Sequence, residues 1–339
     1  MFIPFSFFYT YPVQASPVIT GSALYNFTTF TFTNASATGR QGPTYTQLTA
    51  SYAPTASWVT SSQFFTASIR GIQEWTVPES ATYRITAAGA AGGSSPTINF
   101  TGGFGASVTV DIPLSQSQKI LLVVGQRGGN RFTGSGAAGF NGGSGGGGTF
   151  VYDSASVTYY LAIGGGGGAG GTATNLFSNQ ATASGKFNTT SGSTVNIGSN
   201  LSASGGTGGS GGSRSNRGIL YGGTGAGIFS SGSAANGGQG LSRAGNWLGG
   251  TTGSTTNING VEGGFGGGGS AVDGDGSADF NVIAFAGGGG GYSGGGSGGN
   301  SGQSNSQFGG GGGSYYTGSF VTGSNNINQG HGYITITKL

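Results

Sequence analysis

The sequence predicts an all-β fold in which glycine-rich segments pack against one another, and two observations indicate this fold class. Several segments alternate apolar and polar residues with the period of two that is typical of β-strands, whereas no segment keeps a helical period of 3.6. The chain has 80 glycines among its 339 residues, together with 22 Phe, 14 Tyr and 3 Trp. Because a disordered segment is usually poor in aromatic residues, we expect the glycine blocks to be ordered.

Strand signals occur at both ends of the chain. Tyr83, Ile85 and Ala87 share one face of a strand that follows a turn at residues 78–80. The other segments predicted to be strands, by their alternation and their β-branched and aromatic content, are 24–33, 106–112, 119–124, 149–163 and 333–338. A short helix is predicted at residues 44–52. The framework is therefore β, with strands at both ends and glycine blocks between them.

The glycine blocks dominate the second half of the chain. Ordering glycine costs more conformational entropy than ordering any other residue, and its backbone N–H and C=O groups must still find partners when they are buried. We therefore expect the pure glycine runs to be extended and hydrogen-bonded to one another. These runs are residues 164–168, 266–269, 287–291 and 309–313.

The composition excludes several classes of protein. Charged residues make up 6% of the chain, the formal net charge is +3, and no cysteine is present. Without a basic cluster we expect no nucleic-acid binding, and without cysteine neither a disulfide framework nor a thiolate metal site can form. No stretch approaches 18 apolar residues, so we expect no membrane span. So few charges suit a subunit of an assembly better than a free monomer.

The N-terminal segment, MFIPFSFFYTYPVQASPV, is apolar and aromatic but is interrupted by prolines. The prolines disfavour a long helix, and the segment lacks the initial positive charge of a signal peptide. We interpret residues 1–26 as an extended docking arm that binds other subunits. Its bulky apolar side chains are Phe2, Ile3, Phe5, Phe7, Phe8 and Tyr9. The alternative is that the segment packs on its own domain.

A second group of aromatic residues lies beside or between the glycine blocks. This group comprises Tyr292, Phe308, Tyr315 and Tyr316. One interpretation is that these side chains face a ligand, a host glycan or a receptor protein. The other is that they cover the edge of the packed glycine segments and keep water away from the glycine backbones.

Catalytic and metal-binding motifs are weak. His331 is the single histidine, and Ser144 formally lies in a G-x-S-x-G pattern, but this pattern is expected by chance in a chain so rich in Gly and Ser. We expect His331 to be structural, and we expect no enzymatic activity and no cofactor. Asp273, Asp275 and Asp279 are spaced like the start of a calcium loop. The glycine and glutamate of such a loop are missing, so we predict a solvated turn and no metal site, with calcium as the alternative.

Motifs that combine glycine with other residue types run through most of the chain. They are Gly42-Pro43-Thr44-x-x-Gln47, Gly71-Ile72-Gln73-x-Trp75-x-Val77-Pro78, Thr82-Tyr83-x-Ile85, Gly89-Ala90-Ala91-Gly92-Gly93, Leu122-Val123-Val124-Gly125-Gln126, Thr149-Phe150-Val151, Ala162-Ile163 before a glycine run, Phe265-Gly266 and Gly330-His331-Gly332-x-Ile334-x-Ile336. In this order, over roughly residues 30–339, the chain resembles the glycine-rich ectodomain of the anaplastic lymphoma kinase and leukocyte tyrosine kinase receptors. The first two motifs are also similar to patterns in proteins of bacteriophages and large algal viruses.

The resemblance implies a β-sandwich of the tumour-necrosis-factor type, a jelly roll, that carries a bundle of polyglycine II helices. Such helices are extended and have three residues per turn. On this basis residues 1–26 are the arm and residues 27–339 are a glycine-rich domain. Within that domain, 27–140 and 319–339 are mainly sandwich, and 141–318 are mainly glycine bundle and loops. The sequence has neither a kinase domain nor a cysteine, so cytokine binding and kinase activity do not carry over.

These observations together predict a non-enzymatic structural protein of a virion, either capsid-associated or part of a fibre. The protein would present a rigid glycine-rich domain on the particle surface, contact other subunits through its arm and form a homo-oligomer. One alternative is a host-recognition adhesin at a fibre tip, since polyglycine bundles occur in adhesins of bacteriophage tail fibres. Another is an extracellular filament or cell-surface subunit with no viral link.

Overall fold

The computed structural model describes residues 22–94, 101–130, 142–169, 183–198, 201–214, 222–234, 238–252, 260–273, 284–299 and 308–339. Within these residues the fold is mostly β, with sixteen strands, one α-helix and two short 3-10 helices. No helix in these ranges is long and apolar enough to cross a membrane. The expectation of an all-β framework is therefore confirmed.

The strands lie along the whole described chain. In chain order they are β1 (Thr29–Phe32), β2 (Phe65–Ile69), β3 (Ile72–Thr76), β4 (Ala81–Ala88), β5 (Gly105–Leu114), β6 (Lys119–Val123), β7 (Thr149–Asp153), β8 (Tyr159–Ile163), β9 (Val195–Gly198), β10 (Leu201–Ala203), β11 (Gly260–Val261), β12 (Ala271–Asp273), β13 (Ala284–Phe285), β14 (Tyr315–Tyr316), β15 (Ser319–Asn328) and β16 (Tyr333–Lys338). The α-helix is α1 (Tyr45–Tyr52), and the 3-10 helices are Ser57–Thr60 and Arg243–Gly245.

Two antiparallel sheets form the framework. The first sheet has five strands in the order β1-β16-β4-β5-β15, and the second has six in the order β14-β8-β7-β6-β3-β2. Strand β16 pairs with β1 on one side and with β4 on the other, so the two ends of the described chain meet in one sheet. Strands β7, β8 and β14 belong to the second sheet although they lie within residues 141–318. The glycine-rich part of the chain is therefore built into the framework.

The two sheets enclose a common apolar core. Tyr83, Ile85 and Ala87 of β4 are fully buried, which confirms the face predicted from their alternation. Trp75 of β3 faces them from the second sheet, and its ring centroid lies 5.6 Å from that of Tyr83 in an edge-to-face arrangement. Fully burying a side chain of this size stabilises a fold by about 1.5–3 kcal/mol, so this core carries much of the stability of the framework.

The predicted helix at residues 44–52 is confirmed as α1, whose N-terminus has a capping box. Thr44 accepts a hydrogen bond from the Gln47 backbone N–H, and the Gln47 side chain accepts one from the Thr44 backbone N–H. This arrangement satisfies two N–H groups that a helix start leaves unpaired. At the other end, the Tyr52 hydroxyl donates to the carbonyl oxygen of Thr33 at 2.9 Å. The helix is thereby tied to the end of the first sheet.

Glycine backbones form a hydrogen-bonded interior beside the second sheet. Gly165 and Gly168 both bond to the same two runs, 287–291 and 309–313, with N···O distances of 2.8–3.0 Å. The two glycines between them bond to other segments. The partners of this run therefore repeat after three residues, and its N–H and C=O groups point successively to different neighbours.

The same spacing occurs in a second run. Gly287 donates to the carbonyl oxygen of Gly143 at 3.2 Å, and Gly290, three residues on, donates to that of Gly146 at 3.0 Å. Because the steps on both partners match, the two segments run side by side with a common period of three. Backbone pairing among glycine runs was expected from the sequence and is confirmed for these runs.

One glycine run departs from the expectation that it is extended throughout. Gly266 and Gly267 have φ values of +100° and +82°, and Gly268 donates to the carbonyl oxygen of Gly264 at 3.0 Å. The chain therefore turns inside this block. The prediction that residues 266–269 are extended was wrong for the first residues of this run. Glycine can adopt the left-handed conformation of such a turn without steric cost. A run of identical residues contains no sequence signal for the turn.

Candidate binding surface

Strand β14 places two tyrosines at the edge of the second sheet. It pairs with β8, where Tyr315 lies opposite Ala162 and Tyr316 lies opposite Leu161. Successive side chains of a strand point to opposite faces. Accordingly, Tyr316 packs against the core between the sheets, whereas Tyr315 packs against the apolar cluster on the other face of the second sheet.

Further aromatic rings extend this edge on both sides. Tyr292 stacks on Tyr315 with a centroid distance of 4.9 Å and an interplanar angle of 24°. On the other side, Phe320 lies 5.3 Å from Tyr316 and 6.5 Å from Phe187. All except Phe320, which is 49% exposed, are half-buried. Three of the predicted ligand-facing aromatic residues therefore lie along one edge of the structure.

A cleft of about 450 Å³ opens beside these rings. Its lining combines aromatic faces with hydroxyl and amide groups: Phe187, Asn188, Thr189, Thr190, Ser314, Tyr315 and Tyr316. The Ser314 hydroxyl accepts a hydrogen bond from the Gly164 backbone N–H at 2.9 Å, which fixes it, while residues 188–190 are exposed. Flat apolar surfaces next to exposed polar groups are suited to neutral, hydroxyl-rich ligands. This cleft is the candidate binding surface.

Phe308 does not belong to this surface. It is 4% exposed and packs with Ala169 and Ala183 in a small apolar cluster. The interpretation of Phe308 as a ligand-facing residue is therefore wrong. Its ring lies in the interior next to the glycine run that follows it, where apolar contact with two small side chains replaces contact with water.

Residues 1–21 of the predicted arm lie outside the described residues. Residues 22–26 are described and pack on the domain itself, where the Tyr25 ring stacks on Trp58 with centroids 5.2 Å apart, so the predicted boundary of the arm at residue 26 was placed too late. Phe2, Ile3, Phe5, Phe7, Phe8 and Tyr9 all precede Ser22, where the description begins. The described chain is anchored close to that point, because the Gln116 side-chain amide donates to the carbonyl oxygen of Ser22 at 2.9 Å. The role of the arm stays a prediction.

His331 and Ser144 take part in separate hydrogen bonds. His331 Nδ1 accepts from the Arg127 backbone N–H at 3.1 Å. The fully buried Ser144 hydroxyl donates to the Glu262 carbonyl oxygen at 2.6 Å and accepts from the Gly129 backbone N–H at 2.7 Å. The Ser144 hydroxyl thus both donates and accepts a hydrogen bond. It connects two neighbouring loops, as expected of a structural serine.

The His331 imidazole lies in a cavity of about 470 Å³ that also contains Arg127 and Glu262. Burial lowers its pKa, and the nearby Arg127 charge lowers it further. In the unfolded chain the imidazole titrates near its ordinary value of about 6.5. The unfolded state therefore binds a proton first as the pH falls, and the free energy of unfolding decreases on acidification through that value.

We expect this decrease to be smaller in His331→Gln, whose side-chain oxygen can still accept from the Arg127 N–H. Melting temperatures of both proteins between pH 7.5 and pH 5.5 measure the effect. The wild type should lose more stability than the variant across this window, and the difference in melting temperature should stop changing above pH 7. Parallel pH profiles would contradict the assignment of His331 as a buried neutral imidazole.

Only one of the three acidic positions considered for calcium lies within the described residues. Asp273 ends β12, and Asp275 and Asp279 lie outside the described residues. Among the residues that the structure describes, no group of three or more His, Cys, Asp or Glu side chains could hold a metal ion. The solvated turn without a metal, with calcium as the alternative, stays a prediction.

Comparison with known proteins gives a partial similarity. No protein-family model matches the chain. A stretch of 97 residues is 32% identical to the leukocyte tyrosine kinase receptor of Mus musculus. This stretch covers 29% of the chain but only 11% of the receptor. The similarity supports a distant relationship to the glycine-rich domain of that receptor.

Proposed function

We propose that the protein is a non-enzymatic structural protein of a virion that presents a rigid glycine-rich domain on the particle surface. The observation that supports this role is the glycine interior, in which runs such as 164–168 and 287–291 bond to one another through their backbones. An interior of this kind contains few reactive groups and little that can move. It is suited to holding a surface at a fixed position, and much less suited to chemistry.

The fine architecture is part of the same proposal. We infer that the framework is a jelly roll and that the glycine runs are polyglycine II helices. The partners of Gly165 and Gly168, and likewise those of Gly287 and Gly290, repeat after three residues. A period of three is that of the polyproline II conformation, which has no internal hydrogen bonds and so leaves every backbone group available to neighbours.

Assembly is proposed to depend on the N-terminal arm, which would bind other virion subunits and support a homo-oligomer. Fully burying each bulky side chain of the arm is worth about 1.5–3 kcal/mol, against the cost of ordering an extended segment. An extended segment can add to a sheet edge or lie in a groove of a neighbouring subunit.

We expect a chain that lacks residues 1–18 to fold but to fail to enter the particle. The experiment measures incorporation of the truncated protein into purified assemblies and its melting temperature, with the full chain as control. A second variant with Phe5, Phe7 and Tyr9 replaced by serine keeps the length of the arm and should fail in the same way. Normal incorporation of both variants, or collapse of the truncated domain, would refute the role of the arm.

A second candidate function is host recognition, which the cleft beside Tyr315 and Tyr316 favours. Exposed Thr189 and Thr190 provide hydroxyl groups next to the tyrosine rings. In this alternative the protein is an adhesin, and the cleft binds a glycan. Replacing Tyr316 and Thr190 by alanine should then abolish binding to host cells without affecting assembly. Unchanged attachment of particles that carry the double variant would exclude this alternative.

A further inference from the structure

A groove lies on the face of the second sheet that is turned away from the first sheet. We use this name for two neighbouring cavities of about 400 Å³ each, which share Arg243 and Ala244 of the 3-10 helix Arg243–Gly245 in their linings. The first cavity is lined mainly by the sheet, with Ile69, Ile72, Glu74 and Leu121 among its residues. The second is lined by Val157, Tyr159, Ile228 and Phe229. Together they have the size of a small-molecule site.

Two large apolar side chains in the walls of the groove are exposed to solvent. Phe229 is 71% exposed and Ile69 is 47% exposed, and these two residues lie in different cavities of the same groove. Apolar patches that are open to water on a folded protein commonly mark interaction sites. The groove is therefore suited to an apolar ligand that runs across both cavities.

The polar groups of the groove point to an anionic end on that ligand. Tyr159 is 8% exposed, and its hydroxyl is buried without a hydrogen-bond partner. A buried hydroxyl without a hydrogen-bond partner is unfavourable, so an acceptor group on a ligand would stabilise it. Burial raises the pKa of the Tyr159 phenol, while the nearby positive charge of Arg243 acts in the opposite direction. The phenol is thus a neutral donor next to a cation.

The charges around the groove favour the same assignment. Arg243 makes no ion pair with any residue that the structure describes, whereas Glu74, in the first cavity, is paired with Lys119 at 2.7 Å. The positive charge of Arg243 thus remains available to a ligand, and the negative charge of Glu74 is compensated. A guanidinium group beside a hydroxyl donor is well suited to carboxylate or phosphate recognition.

We propose that this groove binds an amphiphile with one linear apolar chain and one anionic group. The anionic group lies between Arg243 and the Tyr159 hydroxyl, and the chain extends over Ile69, Ile72 and Leu121. This binding activity goes beyond the proposed structural role and does not depend on how the protein is assembled.

Calorimetric titration of the full chain with decanoate, below its micelle concentration at pH 7.5, tests the proposal. We expect saturable binding of one decanoate per chain, and an affinity about fourfold lower for each methylene removed toward octanoate. Acetate, which lacks the chain, and decyltrimethylammonium, which carries the opposite charge, should not bind at the same concentrations.

Two variants separate recognition from folding. Tyr159→Phe removes only the unpaired hydroxyl, so the variant should melt no lower than the wild type and yet bind decanoate about tenfold more weakly. Arg243→Ala should weaken binding at least tenfold, and Arg243→Lys should restore part of it. Arg84→Ala, on the first sheet, is the matched control and should bind as the wild type does. Absence of saturable binding, or wild-type affinity for decanoate in both Tyr159→Phe and Arg243→Ala, would overturn the proposal.

Discussion

Replacing Gly166 by valine is expected to lower the free energy of unfolding by about 3–5 kcal/mol. A Cβ at this position would lie well inside 3.0 Å of the Gly103 carbonyl oxygen, closer than Cβ atoms are found in proteins. The backbone must shift to relieve this clash. The shift would disturb the hydrogen bond from Gly166 to the Ala90 carbonyl oxygen and the one from Gly146 to Gly166, at 2.9 and 2.8 Å.

Gly289→Val should have an effect of similar size, because a Cβ there would meet the Gly165 carbonyl oxygen. The matched control is Gly330→Ala, where the nearest atom to a new Cβ is Asn328 Oδ1 at 3.8 Å. The melting temperature is measured for all three variants. The two valine variants should melt roughly 5 °C or more below the wild type, and the control should stay within about 2 °C of it. Wild-type melting of both valine variants would show that the glycine runs are not packed.

Trp247→Ala is expected to destabilise the protein by about 3–5 kcal/mol, the usual cost of removing a large buried ring. Trp247 is fully buried, and its ring stacks on Phe150 of β7 with centroids 3.8 Å apart. Its carbonyl oxygen accepts hydrogen bonds from the N–H groups of Gly266 and Gly267 at 2.8 and 3.1 Å. The residue thus joins the glycine interior to the second sheet through both its side chain and its backbone.

The number of thermal unfolding transitions in Trp247→Ala is as informative as its melting temperature. If the glycine interior and the sandwich are one cooperative unit, unfolding should show a single transition at lower temperature by both near- and far-ultraviolet circular dichroism. Trp247→Phe, which keeps an aromatic ring on Phe150, should lose clearly less stability. A first transition that unfolds only the glycine part would show that the two parts are independent, contrary to the architecture described above.

The sandwich was largely predictable because its strands carry a local pattern. Tyr83, Ile85 and Ala87 alternate with polar residues and are all fully buried, and the segment 333–338 predicted as a strand is β16. Strand β15 escaped prediction for a physical reason. It lies at the edge of its sheet with most of its residues exposed, so neither face is selected to be apolar and no alternation appears in its sequence.

The sequence predicts that the glycine runs bond to one another, but it does not predict which glycines pair. Composition indicates that the runs pack, but it cannot show that Gly165 bonds to Gly290 and Gly312. Glycine has no side chain to distinguish one run from another, so register is set by the strands and turns that flank each run. For the same reason the turn at Gly266 was missed.

The candidate surface was predicted only in part. Tyr292 and Tyr315 were singled out from their position beside glycine blocks, and they stack on each other. Phe308 has the same sequence context but is buried. Phe187 and the threonines after it were missed, because they reach the cleft from a segment more than 100 residues away in the chain, and no local pattern marks them.

Amide hydrogen exchange of the glycine runs, followed by nuclear magnetic resonance, tests the central claim most directly. The claim is that these runs form a hydrogen-bonded interior continuous with the sandwich. Gly165, Gly168, Gly287 and Gly290 each donate to a backbone carbonyl oxygen of another segment, so their amides should exchange as slowly as those of β4 and exchange only through global unfolding. Exchange of these four amides at the rate of an unfolded chain, while β4 stays protected, would contradict the account.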